Sequence, residues 1–239
     1  DVDQGGALVK SNFDFLESEF PVLATFGCQA EKYCFSDPNS CLMKLGMIGE
    51  SIVNLMFTYD RIKLPYDNTA ATRIDTLQRE GLLTRDLIDI LHALRKTRNK
   101  AVHENYESVS ECKILLEMTH SLCEWFMQTY GDWNYQHHDF VMPKENKNLL
   151  VTREEKAAEE KQAEVLTKQA EQKASRAEVI SKEERQKRAG KMASQRPKSE
   201  AETRYIIDEQ LRQVGWEADT ENLRYSKGTR PVKGHNMAI

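Results

Sequence analysis

Apolar residues recur every three or four positions along most of the first 130 residues, the repeat of helices with one face against a core. From Asn12 to Tyr33 the repeat runs through Phe13, Phe15, Leu16, Phe20, Leu23 and Phe26. Pro21 interrupts it. Proline starts helices or kinks them, so two short helices are predicted here. Asp37-Pro38 marks the next start, an N-cap followed by proline in the first turn. Leu42, Leu45, Ile48, Ile52, Leu55 and Met56 follow at helical spacing. Gly46 and Gly49 lie on the same helix. Each costs about 1 kcal/mol against alanine unless a neighbouring helix needs the space. Pro65 and Asn68 mark a loop, and Thr72 to Glu80 a short helix stopped by Gly81. Thr84 is placed to cap a longer helix with Leu87, Leu91 and Leu94 inside, ending around Val102 to Asn105. A further helix runs from about Ser108 through Leu115, Leu122 and Phe126 to Gly131. No stretch holds a period of two. The prediction is a mainly α chain whose residues 11–150 form an antiparallel bundle of four or five helices.

The pattern changes at Val151. From there to about Arg188 the sequence is dominated by Ala, Glu, Lys, Gln and Arg, with no glycine or proline until Gly190 and Pro197. These are strong helix formers. Val165, Leu166, Val179 and Ile180 are too sparse for a heptad seam. A solvated helical linker is predicted over 151–198, supported by pairs along the helix such as Lys156 with Glu160 and Glu164 with Lys168. Ser199, three residues before Glu202, has capping-box spacing. It opens a helix carrying Ile207, Leu211 and Val214 and ended by Gly215. Trp216 is expected to anchor a core. The closing Met237-Ala238-Ile239 reads as the start of an apolar strand, so 199–239 is expected to begin a second, incomplete domain. Residues 1–10 (DVDQGGALVK) are expected to be a disordered extension.

Composition and charge sharpen this division. The chain is 39% hydrophobic and 30% charged, the mixture of a packed domain with a solvated segment. Its net charge of −4 is uneven. Residues 1–150 hold 15 Lys+Arg against 22 Asp+Glu, net −7; residues 151–200 hold 13 against 10, net +3. An acidic bundle is a poor nucleic-acid platform. The five cysteines are Cys28, Cys34, Cys41, Cys112 and Cys123. They are odd in number and form no CxxC pair, which argues against zinc or a disulfide framework and for a reducing, cytoplasmic compartment. No apolar run approaches the roughly 18 residues of a membrane span, so no membrane partner is expected. His92, His120 and the pair His137-His138 lack ligand spacing to carboxylates or thiols, and no metal site is expected.

One constellation carries chemistry inside the bundle. Arg98, Asn99 and His103, in the run RNKAVH, fall at the end of the helix that starts at Thr84. Asn99 and His103 are four apart and share a helical face. With the surrounding helices, residues 38–130 resemble the HEPN superfamily, in its DUF4145-type form. That resemblance implies an Arg holding a scissile RNA phosphate and a His moving a proton at the ribose 2′-OH, without a metal. The residues also fit a structural role: a histidine suits the negative end of a helix, and Arg98 could pair with Glu104 or Glu107.

The other constellation lies near the end. Between Asn222 and Asn236 stand Arg224, Lys227, Arg230 and Lys233 with no acidic residue, candidates for contact with DNA phosphates. The run ETRYIIDEQLRQVGWEADTENLRYSKGTRPVKGHNMAI resembles the opening of the nuclease domain in the R (restriction) subunit of type I restriction–modification enzymes. SNFDFL at Ser11 to Leu16, the bundle and the charged connector follow in the order found in such subunits. The resemblance implies an ATP-dependent DNA translocase and endonuclease with a PD-(D/E)xK site using Mg²⁺, partnered by modification and specificity subunits. Its catalytic carboxylates and lysine fall after the position of Ile239, and no GxxxxGK(S/T) occurs. This chain is therefore expected to hold no cofactor, to be a monomer, and to serve as an accessory or docking module. The alternative is a metal-independent RNase using Arg98 and His103.

Overall fold

Pro21 opens a helix rather than kinking one. Its missing N–H is no loss at a first helical position, and a single 3-10 turn (Asp14–Leu16) precedes it in place of a helix. The structure, a computed structural model, describes residues 11–145 and 151–239. The extension 1–10 lies outside the described residues. The chain forms two units, residues 1–195 and 196–239. In the first, α1 (Pro21–Tyr33), α2 (Pro38–Tyr59), α3 (Ala70–Arg79), α4 (Arg85–Glu104) and α5 (Val109–Tyr130) build the bundle. Asp37 caps α2 through the Ser40 N–H at 3.0 Å, and Ser108 caps α5 through the Glu111 N–H at 3.2 Å. Thr84 occupies the cap position of α4, but its hydroxyl turns to Asp86 at 2.6 Å and leaves the backbone uncapped.

The mainly α class holds, and α2 is its axis. It packs against α1, α4 and α5, and Leu45, Ile48 and Ile52 are fully buried. Among the described residues it is the helix long and apolar enough to cross a membrane, yet 67% of that window is covered by its neighbours, as in a core helix.

Gly46 shows why α2 carries glycine. A Cβ there would lie 2.3 Å from the Arg98 Cβ on α4, whereas at Gly49 the nearest atom is the flexible Leu94 Cδ1 at 3.2 Å. Both atoms of the first clash are fixed to backbone. Gly46→Ala is therefore expected to destabilise the unit by about 1–3 kcal/mol through overpacking, outweighing a helix-propensity gain of about 1 kcal/mol. Gly49→Ala should be close to neutral. Urea unfolding of the two variants compares them; equal effects would contradict the close approach.

Residues 151–195 depart from the expected linker. Two helices form there, α6 (Arg153–Arg176) and α7 (Lys182–Gln195), and both dock. α6 packs on α1 and α2, and α7 on α5. The contact faces are small: Ala163 and Ala174 are buried on α6, and Ala189, Met192 and Ala193 on α7. The expected pairs along α6 give way to pairs across it. Lys156 meets Asp37 at 2.5 Å, and Glu159 takes Lys32 at 3.0 Å and the Tyr33 hydroxyl at 2.6 Å. Burial, and then the Glu159 carboxylate, push the Tyr33 phenol well up, so it stays a donor. Arg61, in the left-handed region (φ 52), donates to the carbonyls of Ala174, Ser175 and Ala177 and closes the C-terminal end of α6.

A buried histidine is expected to make this unit sensitive to acid. His120 on α5 is enclosed by Phe13, Phe15 and Phe140, with ring centroids 5.9, 5.6 and 5.6 Å away. The buried Glu124 carboxylate lies 4.0 Å from its Nδ1 and is itself taken by His137 Nδ1 at 2.6 Å and the His138 N–H at 2.9 Å. Burial lowers the His120 pKa despite Glu124, and burial lowers that of His92 as well. As pH drops below about 6.5 the unfolded chain takes up these protons first, so stability is lost in that window. The melting temperature is expected to fall from pH 7 to about 5, and His120→Phe to flatten the profile. An unchanged profile would contradict a neutral, buried His120.

The second unit is small. α8 (Glu200–Gln213) leads to β1 (Glu217–Ala218), which pairs in parallel with β2 (Met237–Ala238) in the register Glu217–Met237 and Ala218–Ala238. Ser199 accepts the Glu202 N–H at 3.1 Å, but the expected reciprocal bond is absent. Glu202 instead forms a buried bidentate pair with Arg196, at 2.5 and 2.9 Å. Trp216, expected in a core, is 41% exposed.

Candidate functional site

The last two turns of α4 carry Arg98, Asn99 and His103, and their position is fixed from outside the helix. Asn39, in the first turn of α2, donates its amide to the carbonyls of Ala101 (2.8 Å) and Tyr106 (2.9 Å). Asn105 then ends α4 in the left-handed region at φ 51, a conformation asparagine tolerates better than most residues. Neither Asn39 nor its role was evident from sequence spacing, since its acceptors lie more than 60 positions away.

Arg98 turns towards α2. Its stem crosses Gly46, and Nη1 meets Glu50 Oε2 at 3.0 Å, not Glu104 or Glu107. Five residues on an α-helix rotate the side-chain direction by about 140°. His103 accordingly emerges on another side of α4 and is exposed. The structure brings Arg98 and Asn99 to one cleft and leaves His103 outside its walls.

That cleft, about 460 Å³, lies between α2, α3 and α4. Arg73, Arg95 and Arg98 line it against one carboxylate, Glu50. Arg73 is held by neutral groups, its Nε donating to Asn68 Oδ1 at 2.6 Å and Nη1 to Asn54 Oδ1. Arg95 has no acceptor among the described residues, and the Nε atoms of Arg95 and Arg98 are buried without a partner. Asn68, Thr69, Ala70 and Ala71 bring the N-terminal end of α3 to the same space. Arg95 could have been found from sequence, three residues before Arg98 on one face; Arg73, on another helix, could not.

The basic residues of the second unit form a surface of different kind. Arg224 donates through Nε to the Thr220 carbonyl. Arg230 lies 5.3 Å from the Tyr225 ring centroid and donates to the carbonyls of Tyr225 (3.1 Å) and Thr229 (2.8 Å). These two arginines brace the loop. Lys227 and Lys233, beside the positive-φ turns at Gly228 and Gly234, are exposed and make no ion pair among the described residues. Nearby carboxylates are occupied: Asp208 accepts from the Thr220 N–H (2.7 Å) and hydroxyl (2.8 Å), and Glu217 from His235 (2.7 Å). Two free cations and an exposed Tyr225 can meet a phosphate backbone.

A family model described as a domain of unknown function, DUF4145, matches residues 28–174. The chain belongs to that family. The DUF4145 match runs from α1 to within three residues of the end of α6, so it includes a helix that composition alone marks as linker. The chain is also 26% identical, over 280 aligned residues, to the type I restriction enzyme EcoKI endonuclease subunit of Escherichia coli (strain K12). The alignment takes in 96% of this chain and 24% of that relative, so the chain spans about a quarter of the relative's length. The DUF4145 chain is thus related to a restriction endonuclease subunit. No solved structure matches.

Proposed function

We propose that this chain is the front part of the R subunit of a type I restriction enzyme, acting as an accessory and docking module. The supporting observation is a similarity to the EcoKI endonuclease subunit that covers 96% of the chain and so takes in both units. In this role residues 199–239 begin the nuclease domain, and Lys227 and Lys233, braced by Arg224 and Arg230, face DNA. The longer subunit supplies the Mg²⁺ and ATP chemistry and joins modification and specificity subunits in the cytoplasm. Among the described residues no group of three or more His, Cys, Asp and Glu is arranged to hold a metal ion.

The chain alone, incubated with plasmid DNA, Mg²⁺ and ATP, should leave the DNA intact. The longer subunit that contains it should cut when supplied with its two partner subunits. An open reading frame without helicase motifs would end the proposal. The RNase alternative requires Arg98 and His103 to converge; within one chain Arg98 pairs with Glu50 and His103 lies outside the cleft. RNA incubated with the protein in EDTA decides it: cleavage lost on His103→Ala would support the alternative, and intact RNA would remove it.

A further inference from the structure

The cleft between α2, α3 and α4 collects positive charge that the protein does not neutralise. Three guanidinium groups, from Arg73, Arg95 and Arg98, face one carboxylate. Glu50 answers Arg98 at 3.0 Å. Arg73 is oriented by two asparagine oxygens, which fix its plane without cancelling its charge. Arg95 finds no acceptor among the described residues, and two buried Nε donors are left unpaired. A buried donor without an acceptor costs about 1–3 kcal/mol, and native proteins keep few of them without a reason. The reason here is chemical: Arg73 and Arg95 meet no carboxylate in the cleft, and only Arg98 has one.

The same space receives the N-terminal end of α3, through Thr69, Ala70 and Ala71. The first amides of a helix have no intrahelical acceptor and carry its positive dipole end. Thr69 and Thr72 satisfy one another in a capping box, which fixes the helix start without using the Ala70 and Ala71 amides. Arginine forks and helix amides from separate elements converge, as phosphate recognition requires. The floor is apolar, made by Val53, Ile74 and Leu91. The volume lies within the range of about 300–1,000 Å³ for small-ligand sites. A flat or open basic surface would suit a polymer backbone; a walled cleft of this size suits one small molecule.

We propose that this cleft binds a nucleoside phosphate, its phosphate held by Arg73, Arg95 and the start of α3, and its nucleoside on the apolar floor. Arg98, already paired with Glu50, closes the wall. The site needs no metal, no second copy and no other subunit. It therefore stands or falls separately from the restriction-subunit proposal.

Calorimetric titration of the whole chain with AMP, ADP, inorganic phosphate and adenosine tests it. AMP and ADP should bind, phosphate should compete with them, and adenosine should bind at least about tenfold more weakly, the loss of charge-assisted bonds. Arg95→Met should lower AMP affinity by about tenfold or more, while Arg95→Lys keeps part of it. Arg95→Met should melt at the wild-type temperature, because no protein acceptor is lost; Arg73→Met supplies a second, independent variant. The proposal is overturned if AMP fails to bind up to about 1 mM. It is equally overturned if both methionine variants bind AMP like the wild type, or if a short single-stranded DNA binds the cleft and AMP does not displace it.

Discussion

Replacing Asp60 with alanine is expected to destabilise the helical unit by about 3–5 kcal/mol, because it strands a buried charge. Asp60 ends α2 and receives Arg185 Nε of α7 at 2.9 Å and the Tyr130 hydroxyl at 2.7 Å. Arg185 also donates to the Thr129 carbonyl at 2.5 Å, and its guanidinium stacks 4.1 Å from the Tyr130 ring centroid. The two charged side chains are 6% and 11% exposed, so water cannot replace the lost carboxylate. Burial, and then Asp60, push the Tyr130 phenol up, which keeps it protonated as a donor. The pair as a whole is another matter. Taking two ions out of water costs nearly what their attraction returns. Arg185→Met combined with Asp60→Asn should therefore recover most of the stability lost in Asp60→Ala. Guanidinium unfolding of the three variants checks this; a loss below about 1 kcal/mol for Asp60→Ala, typical of a surface pair, would contradict the buried network.

Trp125→Ala is expected to cost about 3–5 kcal/mol, the range for removing a large buried aromatic. The ring is 1% exposed, packed edge-on or tilted against Phe126 and Tyr130, and Nε1 donates to the Ala189 carbonyl of α7 at 3.0 Å. Phenylalanine keeps most of the packing but loses this bond between α5 and α7, while the Ala189 carbonyl stays within the α7 backbone ladder. Trp125→Phe should cost about 1–3 kcal/mol and should raise amide exchange in α7 before it does so in α2. Amide hydrogen exchange by segment separates the two effects. Equal exchange across α7 in wild type and Trp125→Phe would show that α7 is held by other contacts.

Both variants probe the part of the fold that was hardest to read in sequence. The start of α2 at Asp37-Pro38, the start of α5 at Ser108 and the stop after α3 at the positive-φ Gly81 were legible because they depend on local chemistry, whereas the 3-10 turn before α1 and the Thr69 cap of α3 were not. The close approach at Gly46 was legible too, since glycine in a helix interior needs a reason, although its partner Arg98 was not. The docking of α6 and α7 left little trace. Their inner faces are mostly alanine, and alanine inside a polar, helix-forming stretch looks the same whether it faces water or another helix. Arg185 reads as a solvated cation until Asp60, 125 residues earlier, is placed beside it. Glu202 shows the reverse failure. Its spacing fitted a local capping box, and a buried arginine outcompeted the backbone amide for it. The candidate site was half legible for the same reason. Arg98 and Asn99 stand in one run, but the cleft they border is completed by Arg73 from another helix.

Docking separates a structural remnant from a working part of a restriction subunit, and it can be measured through assembly. The proposed longer subunit, with and without residues 11–195, can be mixed with the proposed modification and specificity subunits and sized by chromatography with light scattering. ATP hydrolysis by the shortened subunit verifies that the remainder folds. The intact subunit should join the complex, and the shortened one should elute apart from it while still hydrolysing ATP. A shortened subunit that enters the complex and cuts DNA as well as the intact one would contradict it.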